Sequence, residues 1–255
     1  MRARAEVIAE SCDGRVAYPL LRSDPPLLLR PTHSGLTLQA GAAGPIGGDQ
    51  LELVIRVRSG ARLDISTTAA MVVLPGPEPS RLDVSIVVEA GATLNWIPEP
   101  LVSVIDSHHI QHLKVTAAAD SSIHLSEMLV LGRSGERPGE LESSVRVSYD
   151  GSVVLHQTTH VGTPTEVAVW SGPAITAGHK IVAGELSIGP HVAIEPPTAL
   201  SSSTARGSRN PIHRQGSFSQ VIADDAPAAR SCLERLRTQR PSPSEDGELR
   251  LVRET

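Results

Sequence analysis

Three carboxylates are the first candidates for chemistry in this chain. Glu99 stands between two prolines in a Trp-Ile-Pro-Glu-Pro segment. Because each proline fixes its own φ and restricts the residue before it, this carboxylate is expected to be held rigidly. Glu127 interrupts an otherwise apolar stretch, where a buried carboxylate would be costly without hydrogen-bonding partners. Asp49 ends a Pro-Ile-Gly-Gly-Asp segment and could supply either an oxygen ligand or an ordinary turn hydrogen bond.

A histidine cluster at positions 108, 109 and 112 has the composition of a metal site. On a strand, however, His108 and His112 share one face while His109 points to the other. Two strand steps separate His108 from His112, which is too far for both rings to bind one ion without a bend. We therefore interpret them as solvated strand residues, with a transient nickel or zinc site at His108 and His112 as the alternative.

A segment at residues 132–140 combines glycines with charges of both signs. As a loop it needs no special role. As a loop facing another protein, it could make charge-assisted hydrogen bonds through its arginines and glutamates. The residues predicted to make such contacts are Arg133, Glu136, Arg137 and Glu140.

An internal repeat predicts the elements that position these side chains. Residues 57–65 return as residues 88–96, and weaker copies follow at 117–125 and 147–155. A period of roughly 30 residues is typical of stacked units that cannot bury a core alone. Each copy joins two rows of alternating apolar and polar residues through a corner that contains Gly or Asp. The repeat predicts an all-β fold, β-solenoid or sandwich-like, built either from stacked hairpins or from solenoid coils.

The C-terminal part of the chain departs from this pattern. Asp225 could cap a helix with Pro227 in its first turn and arginines near its end, which predicts a short helix at about 226–238. We expect one domain over residues 1–240 and a disordered tail at 241–255. The Ser-rich segment 201–210 is expected to be a mobile loop.

The composition of the 255 residues excludes several classes of function. Aromatic residues make up 2% and the net charge is −5, which argues against a nucleic-acid binder because stacking platforms and basic stripes are missing. No Walker A or Gly-x-Ser-x-Gly motif is present. The only cysteines, Cys12 and Cys232, do not form a zinc-binding pattern. Without a signal-peptide pattern or a long apolar run, we expect a cytoplasmic protein with no membrane association.

Taken in order, the motifs resemble the urease accessory protein UreD (UreH) family. Each motif is weak alone, and the ordered combination is fairly specific, chiefly over residues 40–150. The resemblance rests on residues 45–49, Gly-Ala-x-Leu corners at 60–63 and 91–94, Thr-Thr-x-Ala at 67–70, residues 96–100, Gln111 and residues 132–140.

The resemblance implies a maturation factor that is not an enzyme. Such proteins bind apo-urease and act with a second scaffold protein, UreF, and a nickel-carrying GTPase, UreG, to promote nickel insertion. No tightly bound cofactor is implied, only transient nickel(II). A passage through the β scaffold is the mechanism proposed for the family, and oxygen ligands suit it because they release nickel readily. The polar residues implied to face such a passage are Asp49, Thr67, Thr68, Glu99 and Glu127.

Two other classes of β-solenoid remain as alternatives. An iron–sulfur assembly scaffold would need thiolates, and both cysteines lie outside the repeat. A carbohydrate-active enzyme would need paired acids on one face, whereas Glu99 and Glu127 lie in different copies of the repeat, and it would need stacking aromatics that this chain largely lacks.

Overall fold

The computed structural model describes residues 1–162, 170–212 and 216–238. Within these ranges the chain forms strands throughout and ends in one helix, α1 (Ala226–Thr238). The strands are β1 (Arg2–Cys12), β2 (Arg15–Arg22), β3 (Leu27–Thr32), β4 (Gly35–Ala40), β5 (Gln50–Val57), β6 (Arg62–Thr67), β7 (Met71–Val73), β8 (Ser80–Val88), β9 (Thr93–Ile97), β10 (Leu101–Ser103), β11 (His108–Ala117), β12 (Ser122–Leu131), β13 (Glu140–Tyr149), β14 (Ser152–Val161), β15 (Ile181–Ile188), β16 (Thr198–Ser201), β17 (Ala205–Pro211) and β18 (Gly216–Ala223).

The strands form two sheets that enclose the core. The first has seven strands in the order β14-β13-β11-β8-β5-β1-β2. The second has the order β16-β17-β18-β15-β12-β9-β6-β4-β3, with the short strands β10 and β7 beside β12. The predicted all-β fold with a C-terminal helix is confirmed.

The first three copies of the repeat are coils of a solenoid. The strand before each corner lies in the first sheet, where β5, β8 and β11 pair in parallel, and the strand after it lies in the second sheet, where β6, β9 and β12 do the same. Equivalent residues stack, since Leu51 pairs with Leu82. Gly60 and Gly91 turn the corners at φ values of 69° and 64°, a backbone region that glycine enters without steric cost. Parallel pairing excludes stacked hairpins for these copies.

The fourth copy is a hairpin rather than a coil. β13 and β14 pair antiparallel in the same sheet, and the turn between them has positive φ at both Asp150 (50°) and Gly151 (73°). Two successive positive φ values are the signature of a type I′ hairpin turn, for which Asp-Gly is a preferred sequence. The solenoid therefore ends here, and β15 continues the second sheet in antiparallel fashion beside β12.

The core fills the space between the sheets with aliphatic side chains. Inward-facing residues of successive coils, such as Leu53, Ile55, Leu63 and Leu94, have no exposed surface. Burying a side chain of this kind contributes about 1.5–3 kcal/mol, so the stacked rows stabilise the coils with few aromatic residues.

Helix α1 has the bounds that the sequence predicts. The amide of Ala228 donates to Asp225 Oδ1 over 2.8 Å, which satisfies one of the unpaired amides of the first turn. Leu233 and Leu236 pack beneath the helix on β15, β17 and β18. In the described part of the chain, no helix combines the length and the apolar character that crossing a bilayer requires.

Two other expectations concern the C-terminal third of the chain. The mobile loop expected at 201–210 is wrong for most of that segment, because β16 and β17 form an antiparallel hairpin there. Hydrogen bonds between the two strands order this segment despite its Ser-rich composition, and only residues 202–204 lie between the strands. The predicted disordered tail at 241–255 lies outside the described residues.

Candidate functional site: a buried carboxylate between internal cavities

Glu127 on β12 faces the space between the two sheets. Gln111 Nε2 donates to Glu127 Oε1 over 3.1 Å, and Ser143 Oγ donates to the same oxygen over 2.5 Å. The two donors are direct neighbours, because Gln111 on β11 pairs with Ser143 on β13. The carboxylate of the second sheet is therefore bound by two side chains of the first, and the polar partners that its burial requires are present.

The environment of Glu127 favours the protonated carboxyl group. Burial raises the pKa of Glu127 above its ordinary value, although the hydrogen bonds from Ser143 and Gln111 oppose this shift. Both hydrogen bonds converge on Oε1. The side chain is half-buried because part of its surface borders internal cavities.

A cavity of about 120 Å³ lies between the sheets on one side of Glu127. Most of its wall is aliphatic, with Trp96 as the aromatic member. Its volume is sufficient for several water molecules. Four of the five residues implied to face a passage lie on this one wall, namely Thr67, Thr68, Glu99 and Glu127, together with Gln39, Gln111 and Ser126.

The rim of this cavity is formed by two loops that hydrogen bonds hold together. Thr67 Oγ1 accepts a hydrogen bond from the amide of Glu99 over 2.8 Å and donates to the carbonyl of Ala69 over 3.2 Å. The Glu99 carboxylate accepts from Arg230 of α1 over 2.8 Å. Because the Glu99 side chain is 42% exposed, its carboxylate lies at the mouth of the cavity rather than inside it.

A second, smaller cavity also borders Glu127. It has a volume of about 30 Å³ and shares Leu113, Ser126 and Glu127 with the first cavity. It also shares Leu155 and Gln157 with an open pocket of about 660 Å³. The three spaces form a row from the Glu99 rim to β14, with Glu127 and Gln157 at the two junctions.

Asp49 does not line these cavities but supports a loop that does. It is 4% exposed, with Oδ1 at 2.5 Å from the Met1 ammonium and Oδ2 accepting from the Ile46 amide over 2.9 Å. Burial alone would raise the pKa of Asp49, but these two hydrogen bonds outweigh it and the pKa is lowered. Gly44 and Pro45, in the same loop, do line the first cavity.

His108 and His112 lie on the outer face of the first sheet, beside carboxylates of the neighbouring strands. His112 lies 3.4 Å from Asp83 and 3.2 Å from Glu142, and His108 lies 3.7 Å from Glu140. In the described ranges, no group of three or more His, Cys, Asp or Glu residues is arranged to hold a metal ion. The structure therefore does not bring the two histidines together as a metal site.

His109 points into the protein, as strand alternation predicts. It has no exposed surface, and its Nδ1 lies 2.8 Å from Ser80 Oγ. Burial, and secondly the charge of His108, lowers the pKa of His109 to about 4. The ring is therefore neutral at physiological pH and belongs to the core.

The charged loop between β12 and β13 has one ion pair within it and two contacts to the rest of the protein. Arg133 lies 3.7 Å from Glu136, and Arg137 lies 3.0 Å from Asp106. Lys180 donates to the backbone carbonyl of Glu136 over 2.8 Å. Both arginines are more than half exposed, so their guanidinium groups face solvent. Contact with a partner protein remains a prediction for this loop.

The sequence also contains site residues that we did not predict. Ser143 occupies an inward-facing position of β13 where an aliphatic residue is expected. Gly184 occupies a similar position on β15, between the aliphatic residues Val182 and Leu186. Gly184 pairs directly with Glu127 across the two strands. A small or polar residue that breaks an aliphatic row is the signal that could have identified both positions.

Comparison with known proteins places the chain among its relatives. The family model of the UreD urease accessory protein matches residues 3–246. The chain is 37% identical over 181 residues to urease accessory protein UreD 2 of Saccharopolyspora erythraea, a match that covers 68% of this chain and 63% of that relative. It is 38% identical over 183 residues to urease accessory protein UreD of Streptomyces coelicolor, covering 68% of this chain and 71% of that relative. The chain belongs to the UreD urease accessory protein family.

Proposed function

We propose that this protein is a scaffold that binds apo-urease and promotes the insertion of nickel into the urease active site. Membership of the UreD family supports a role in urease maturation. The observation that carries the proposal is the row of three spaces through the interior, with the Glu127 carboxylate at the first junction. This role requires binding and release of an ion but no catalysis, and it is exercised in the cytoplasm.

The ligands along this row suit an ion that is passed on rather than stored. Oxygen donors from Thr67, Glu99 and Glu127 bind divalent nickel more weakly than clustered imidazoles or thiolates would. Glu99, at the exposed rim, would meet the ion first, and Glu127 would receive it inside. Nickel is thus the cargo of the scaffold and not a resident cofactor.

Two surfaces are the proposed partner contacts. The Glu99 rim would face the protein that supplies nickel, and the exposed guanidinium groups of Arg133 and Arg137 would bind carboxylates of a partner. The partners proposed for these surfaces are apo-urease, the scaffold protein UreF and the nickel-carrying GTPase UreG.

Glu127→Gln in a urease-positive cell that lacks the native copy tests the proposal. The variant keeps an oxygen at the position of Oε1 but cannot carry a negative charge. We expect nickel-dependent urease activity to fall at least tenfold while the variant still co-purifies with apo-urease. Glu78→Gln, the same change in an exposed loop, is the control and should retain full activity. Undiminished urease activity after deletion of the protein would refute the proposal.

A further inference from the structure

We infer that Gly184 is a positioning residue that keeps the internal row open beside Glu127, so that a partly dehydrated divalent cation can pass. The inference rests on the proposed function and assigns a specific role to a residue without a side chain. Gly184 lies in the middle of β15 and is the direct strand partner of Glu127. Both residues line the small cavity.

The missing side chain accounts for the space. The inward neighbours of Gly184 along β15, Val182 and Leu186, are almost fully buried and also line the small cavity. An aliphatic residue at position 184 would continue this row across the junction. A Cβ built on Gly184 would lie 3.3 Å from the ring edge of Phe218, the chain's single phenylalanine, and 3.7 Å from the carbonyl of Ser219. Phe218 lies on β18, the neighbour of β15 in the same sheet, so its ring packs over Gly184, and a side chain at position 184 would push the ring toward the cavity.

The charge and size of the gap indicate what it admits. Among the described residues, Glu127 is the only ionisable side chain on the wall of the small cavity, so this wall can become negatively charged but not positively charged. The volume of about 30 Å³ holds about two water molecules, since each needs roughly 10–15 Å³ of such space. A cation at this point would keep only part of its hydration shell, with the Glu127 carboxylate and Gln157 beyond it as replacement ligands.

Filling the gap without changing Glu127 tests the inference. Gly184→Ala adds one carbon and Gly184→Val adds three at the Phe218 ring. With NiCl₂ supplied to the assembled complex of apo-urease and its accessory proteins, we expect Gly184→Ala to slow activation about twofold and Gly184→Val at least tenfold. Each variant should still co-purify with apo-urease. Ser85→Val, which adds bulk on the exposed face of the first sheet, is the control and should activate at the wild-type rate.

A double variant separates a closed gap from a damaged fold. Phe218→Ala removes the ring that the added side chain would push into the cavity, so the double variant with Gly184→Val should activate at least threefold faster than Gly184→Val alone. Folded Gly184→Ala and Gly184→Val variants that both activate at the wild-type rate would overturn the inference. If Gly184→Val does not fold, Gly184→Ala with and without Phe218→Ala decides in the same way. If Glu127→Gln impairs activation while the Gly184 variants do not, the inference fails and the proposed function stands.

Discussion

Replacing Glu127 by glutamine should make the protein more stable, and increasingly so as the pH rises. Both hydrogen bonds to the carboxylate converge on Oε1, and the carbonyl oxygen of a glutamine can accept both. The substitution therefore removes the cost of ionising a buried carboxyl while it keeps the bonds from Gln111 and Ser143. Glu127→Ala removes the acceptor and leaves two donors unpaired, which should cost about 1–3 kcal/mol for each donor that water cannot reach.

The sign of the pH dependence follows from the raised pKa of Glu127. A carboxyl group with a raised folded-state pKa contributes stability that is complete below its unfolded pKa, about 4.3. That contribution is lost as the pH rises through the folded pKa. Between these two values the wild-type protein should lose about 1.4 kcal/mol per pH unit from this group, whereas Glu127→Gln should lose none of it.

Urea unfolding between pH 4 and pH 9, followed by circular dichroism, measures this difference. The free energy of unfolding of Glu127→Gln should match the wild type near pH 4, exceed it progressively at higher pH and then level off. Glu78→Gln, in an exposed loop, controls for the loss of one negative charge. A Glu127→Gln variant that is less stable than the wild type at pH 8 would refute the reasoning, because it would show that the ionised carboxylate stabilises the fold.

Three further predictions test the parts that hold the site in place. Asp49→Asn should lower the free energy of unfolding at pH 7 by about 1.5–3 kcal/mol, the scale of a hydrogen bond to a charged group. Because the pKa of Asp49 is lowered in the folded protein, the wild type should lose this extra stability over the variant as the pH falls through that pKa, which urea titrations at several pH values measure. Arg230→Ala breaks an exposed ion pair with Glu99 and should change the unfolding free energy by less than about 1 kcal/mol. Asp225→Ala removes the cap of α1 and should cost about 1 kcal/mol in thermal unfolding.

Strand alternation and backbone conformation made much of the fold predictable. Gly60 and Gly91 occupy left-handed conformations at coil corners. The apolar rows before and after each corner are the inward faces of strands in the first and second sheets, between which the core lies. The helix was predictable from its cap at Asp225. The sequence left hairpins and coils open for every copy because Asp150-Gly151 resembles the other corners, although an Asp-Gly pair permits two successive positive φ values and so favours a type I′ turn.

The site was less predictable because its contacts join distant strands. Glu127 was identified as an acidic residue in an apolar strand, but its partners Gln111 and Ser143 each lie 16 residues away on strands of the opposite sheet. No local pattern contains that pairing, which depends on how the coils stack. Asp49 was selected for its oxygen atoms, and both of them are used to hold the Met1 ammonium and the adjacent turn.

The small cavity lies where the solenoid stops. In the coils before this point, aliphatic residues stack on equivalent aliphatic residues, as Leu53 does on Val84, and both of these line the first cavity. At the end of the third coil, β12 pairs with the antiparallel β15 instead of a fourth parallel strand, so stacking of equivalent residues no longer determines what faces inward. Glu127 and Gly184 meet at this boundary, where a regular coil would place two aliphatic side chains. The interruption of the repeat therefore places Glu127 and Gly184 together at the junction of the two cavities on the proposed route.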